Sequence, residues 1–314
     1  MSGATHLVDG PPMSIVVVFC FAPLASAALT TPAITPSPFA SKAVSIVSKH
    51  PIVKSNAYTE WFATGEASVE QARDLVTQFS VFSNLFLLAQ LNKVINAPTL
   101  DDMREGKEIL ANEIGVVFRK PNEKKRPESP GASDFDPAIV STSGTVEGGV
   151  YSNRAAHFEW LCDVGRSIGL EFEDLGKRKQ GSPATLHFCD RLYDIYGSDD
   201  LSVSLGASFA IEHWANAGFW DDLVAGFKAL NERPGPGVVL RDGSVSHTTP
   251  LGFWRFHQAL EAQHAEHTMD ELEEAYAAGR ITDERKFEEA ANAMLDACAV
   301  FWEGLDASRK AVGT

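Results

Sequence analysis

No Asp or Glu occurs between Asp9 and Glu60, although the chain carries 42 acidic residues. Even spreading would place about seven there, so this stretch is compositionally distinct from the rest. Cysteine is scarce. Cys20, Cys162, Cys189 and Cys298 form no Cys-x-x-Cys pair. Three of them lie on apolar helical stretches, an odd number that reads as small buried hydrophobes in a reducing compartment rather than disulfides or a thiolate metal site. No basic stripe is present: the net charge is −15 and the pI near 5.0, which argues against a nucleic-acid partner. The acidity itself is the ordinary solvated surface of a soluble protein. Sustained two-residue alternation and internal repeats are also missing. What is present is ample apolar content, 44% of 314 residues, enough for a sizeable core.

The acid-free stretch reads as a leader. From Met13 to Ala27 runs a short apolar segment ending in a small-x-small site, too short to span a bilayer but suited to a signal-peptide core. Thr30 to Lys54 is rich in Ser, Thr, Pro and Ala with a few lysines, which is transit-peptide composition. Residues 1–55 are therefore expected to be a two-part targeting leader, as used for a plastid reached through the secretory route. The alternative is a disordered tail on a cytoplasmic protein. Neither belongs to the fold on this reading.

From Asn56 the pattern is helical, and the expected class is all-α, with about seven to nine helices over residues 56–314. Ser68 suits an N-cap, and Val69, Ala72, Leu75, Val76, Phe79, Phe82, Phe86, Leu87 and Leu91 recur at three- and four-residue spacing up to Pro98. Thr99, with Asp102 in the capping-box position, opens a second helix to about Val117. Residues 119–150 break the pattern with Pro, Gly, Ser and charged residues, and read as a polar insertion, a candidate lid. Helices are expected again from Tyr151 to Gly169, from Ser182-Pro183, and over 201–217, 220–230, 250–267, 269–278 and 283–305.

The segment Trp254-Arg-Phe-His257-Gln-Ala-Leu-Glu261-Ala-Gln-His264 carries the chemistry. At about 100° per residue, His257, Glu261 and His264 fall within about 60° of one another on one helix face. Two imidazoles and a carboxylate from one helix suit iron or manganese, with zinc also compatible. Glu212 sits inside an apolar run, where a carboxylate is costly unless paired or coordinated. Glu113 and His157 lie among apolar residues of two further helices. Together they supply three carboxylates and three imidazoles from four helices, the inventory of a carboxylate-bridged iron pair. Trp160, Trp214, Phe219, Trp220 and Trp254 are candidate pocket or packing residues.

In its order of motifs the chain resembles the haem-oxygenase-like di-iron oxidases and oxygenases. The matching features are Asn-Glu113-x-Gly closing one helix, His157 ahead of the Gly169-Leu170 helix end, Glu212 mid-helix, and His257-x3-Glu261-x2-His264. The likeness spans about Asn56 to Leu305. It implies a helical bundle and six ligands, Glu113, His157, Glu212, His257, Glu261 and His264, for two Fe(II) ions, with O2 as co-substrate. Relatives of this kind decarboxylate fatty acids, fragment amino acids or make p-aminobenzoate. The resemblance therefore implies a small substrate bearing a carboxylate or amine, or a fatty acid, together with an external electron donor and a homodimer. Two departures stand out. The polar insertion separates Glu113 from His157, which the family keeps close, and Glu261 stands where Asp is common.

Three rival readings remain at this point. A thiaminase-like hydrolase on the same scaffold needs a nucleophilic cysteine, for which Cys162 and Cys189 are the candidates. A ferritin-like bundle needs Glu-x-x-His on two helices, and only Glu261-x-x-His264 is present. The third is a metal-free helical interaction protein.

Overall fold

Ser68 Oγ accepts a hydrogen bond from the Gln71 amide (3.2 Å), and Gln71 Oε1 accepts one from the Ser68 amide (2.8 Å), so the expected N-cap forms as a reciprocal box. In this computed structural model of the protein it opens the long helix α4 (Val69–Ile95). The structure describes residues 36–119, 150–153 and 157–312; the side chains of 260–264, among a few others, lie outside the described set. Ser68→Ala is expected to lower stability by about 1 kcal/mol, read as a shift in the urea midpoint at constant slope.

The all-α class holds. Eleven α-helices are described: α1 (Pro38–Lys49), α2 (Pro51–Lys54), α3 (Ala57–Ala63), α4, α5 (Leu100–Glu113), α6 (His157–Ser167), α7 (Pro183–Arg191), α8 (Leu201–Ala215), α9 (Phe219–Glu232), α10 (Gly252–Ala277) and α11 (Glu284–Val312). Among the described residues no helix is long and apolar enough to cross a membrane. The core is aromatic. Trp254 and Trp302 are fully buried, and Phe79 meets both edge-on or tilted, with ring centroids 5.5 and 6.4 Å away. Helices α8 and α11 cross at Gly206, where the α11 backbone at Phe287 comes too close for any side chain.

The N-terminal boundary of the fold differs from the expectation. Residues 1–35 lie outside the described set, but 36–55 are part of the helical unit. Ser37 caps α1 by accepting from the Ala40 amide, Pro38 occupies the first turn, and Phe39, Ala40, Ala43 and Val47 bury one stripe. Composition pointed to a leader up to residue 55, while the helical spacing beneath it already ran back to Phe39.

Other boundaries shift for local reasons. Thr99 caps α5 as expected (Asp102 amide to Oγ1, 3.1 Å), but the helix stops at Glu113, because Val116–Arg119 pairs as strand β1 with β2 (Val150–Asn153). Tyr151 thus belongs to a strand and not to the next helix. The two helices expected over 250–278 are one, α10, since no Gly or Pro interrupts it at Thr268. A second short hairpin joins β3 (Val238–Val239) to β4 (Val245–Ser246). A π-helical turn, Leu192–Tyr196, extends α7, with the Tyr193 and Gly197 carbonyls accepting from Asn92 (3.2 Å) and Asn96 (2.7 Å) of α4.

Candidate metal centre

The β1–β2 ladder begins with the pair Val116 and Asn153. Glu113 lies three residues before that rung and His157 four residues after it. The clasp brings the two together across the insertion: His157 Nδ1 stands 3.3 Å from Glu113 Oε2. Both are largely sequestered, with side-chain exposures of 11% and 20%, so the pair is not an ordinary surface contact. A carboxylate at Nδ1 fixes the ring and favours the tautomer whose basic nitrogen is Nε2, the arrangement commonly found behind metal-bound histidines. Residues 120–149, which carry the candidate lid, lie outside the described residues.

Helix α10 adds His257. Its ring lies 4.9 Å from that of His157, nearly perpendicular (83°). His257 Nδ1 is 2.8 Å from the Phe253 carbonyl oxygen. A carbonyl only accepts, so Nδ1 carries the proton and Nε2 presents a lone pair. Trp220 stacks on the imidazole (4.8 Å, 19°), and Phe256 sits against His157 (5.2 Å) and Trp160 (5.1 Å). His157 thus contacts Glu113 of α5 on one hand and His257 of α10 on the other, within an aromatic surround.

Glu261 and His264 continue the His257 face of α10 one and two turns on, but their side chains lie outside the described residues. Glu212, half-buried on α8, acts electrostatically on Lys93 and Tyr196. Among the described residues no three donor side chains form a group able to hold a metal ion. What the described residues do give is two pairwise contacts, Glu113 with His157 and His157 with His257.

A second polar cluster was not anticipated from the sequence. Lys93 Nζ donates to Ser208 Oγ (3.2 Å), lies 3.7 Å from Glu271 Oε1, and stands 5.1 Å from the centre of the Tyr196 ring. Burial disfavours charge on Lys93, yet Tyr196, Glu271 and Glu212 outweigh it and hold the ammonium above its usual range. Burial pushes the Tyr196 phenol up to about 12. One signal was available: Glu271 is fourteen residues beyond His257, four helical turns at about 3.5 residues each, so it lies on the same face.

The three cysteines among the described residues are poor nucleophiles. Burial pushes the Cys162 thiol up to about 11 and that of Cys189 to about 12, and raises Cys298 well above its usual value. A disulfide reagent at pH 8 is expected to label these three only after unfolding, as mapped by mass spectrometry. Rapid labelling of native Cys162 or Cys189 would restore the hydrolase reading.

No known protein-family model and no curated protein matches this chain.

Proposed function

We propose that the protein is a non-haem di-iron oxidase or oxygenase on a haem-oxygenase-like helical scaffold. It would act with O2 on a small carboxylate- or amine-bearing metabolite or a fatty acid. The observations that support this reading are the sequestered Glu113–His157 pair and the His257 ring beside it, with the His257 tautomer set by the Phe253 carbonyl. Oxygen and imidazole donors of this kind fit Fe(II), and manganese shares the preference. Glu113, His157, Glu212, His257, Glu261 and His264 would hold the pair. When bound, two ferrous ions supply the electrons that activate O2.

The chain's own residues would do the rest. The Phe253 carbonyl would fix the tautomer of one imidazole, and Glu113 would orient the other. Trp220, Phe256 and Trp160 pack against the two rings and reduce their exposure to water. Repeated turnover would draw on an external electron donor. The test is anaerobic Fe(II) titration of the full chain, then exposure to O2 in a stopped-flow spectrometer. Two irons per chain and an O2-dependent change in visible absorption are expected. Absence of stoichiometric uptake would sink the proposal.

A further inference from the structure

The last turns of α4 invert the usual rule of burial. Leu88, Leu91 and Ile95 are exposed (50%, 44% and 63%), while Gln90 is buried (2%) and the Lys93 side chain is only 18% exposed. Water-facing leucines beside inward-facing amide and ammonium groups are a local cost, and such inconsistencies concentrate where a protein binds something. Within this inward set the bonding is incomplete. Gln90 Oε1 is buried without a hydrogen-bond partner. Lys93 has three N–H donors; Ser208 takes one at 3.2 Å, and Glu271 lies at a long 3.7 Å. Glu271 is also the most exposed member, at 37%.

We propose that Lys93 and Gln90 are the substrate anchor, and that the carboxylate of an organic acid displaces Glu271 from Lys93. The inference rests on the oxygenase reading for the fate of that acid and narrows its substrate class to carboxylates, excluding simple amines. Glu271 is the internal stand-in. Its contact is long and it borders solvent, so its release returns a carboxylate to water while the incoming one keeps the buried ammonium neutralised. No net charge is added to the interior by the exchange. Ser208 holds the ammonium in place during it. Gln90 Oε1, one helical turn from Lys93, is placed to accept from a hydroxyl or amine next to the acid group. Lys93 itself stays protonated and serves as a fixed cation, not as a nucleophile.

The experiment is calorimetric titration of the full chain, without added metal, with octanoate and with 4-hydroxyphenylacetate. The matched primary amides and amines serve as controls. Saturable binding of at least one carboxylate, and of neither neutral nor cationic analogue, is expected. Lys93→Met should weaken it by about tenfold or more, and Lys93→Arg should retain it. Glu271→Gln should tighten it, by about tenfold, because the internal competitor is gone. Binding of the amides as tight as that of the acids, unchanged or weaker affinity in Glu271→Gln, or no carboxylate binding at all would overturn the proposal. Because the titration is metal-free, its outcome separates from that of the iron titration: loss of iron uptake with carboxylate binding intact removes the oxygenase reading and leaves the anchor standing.

Discussion

His257→Ala is expected to abolish stoichiometric Fe(II) uptake while leaving the protein folded. The imidazole is held on three sides, by the Phe253 carbonyl, the Trp220 ring and the His157 ring, so its donor nitrogen is preorganised. Loss of groups that merely orient a ligand lowers metal affinity about 10–100-fold, and loss of the ligand itself should exceed that. The side chain is only half-buried, so the accompanying loss of stability should stay within about 1–2 kcal/mol. Circular dichroism and anaerobic titration on the same sample separate the two effects. Glu212→Ala should show the same loss of iron. Two tightly bound irons in either variant would remove that residue from the ligand set.

Gly206→Ala is expected to destabilise the protein by about 2 kcal/mol or more, against the direction that helix propensity alone gives. Inside α8, alanine in place of glycine should stabilise by about 1 kcal/mol. The opposing effect is steric: an added Cβ would lie 3.0 Å from both the Cα and the carbonyl carbon of Phe287, and closer still to its oxygen. These are backbone atoms of α11 and cannot rotate away, so the two helices must separate. Moving them loosens the packing of Phe209 against Phe287, whose rings stand 6.0 Å apart. A lowered urea midpoint is the measurement. A raised one would mean the crossing is more compliant than the contact implies.

The helical class, the Ser68 and Thr99 caps and the line of α4 were legible in the sequence because each depends on residues within a few positions of one another. The β1–β2 pairing was not. It joins segments flanking a polar insertion, and nothing local marks four residues such as Val116–Arg119 as a strand. The start of the fold was misplaced for a different reason: acid-poor composition over 36–55 outweighed the short stripe of Phe39, Ala40, Ala43 and Val47. For the site, the type and spacing of His257 and its neighbours pointed to metal chemistry. The closeness of Glu113 to His157 could not be read, because it is created by the strand pairing that brings their flanking residues together. Lys93 and Gln90 were hidden by their surroundings, since a run of leucines around them marks no inward polar face. The structure places Leu88 and Leu91 outside instead.

That strand pairing has a consequence for how the chain can vary. Four rungs, from Val116–Asn153 to Arg119–Val150, join the chain on either side of residues 120–149. The cost of closing a loop grows only slowly with its length, by about 0.6 kcal/mol per doubling. Segment length is therefore a nearly neutral variable here. Glu113 and His157 take their separation from the ladder, so lineages could lengthen, shorten or rewrite what lies between without retuning the pair. The position is a natural port for sequence novelty, insulated from the Glu113–His157 pair a few residues away.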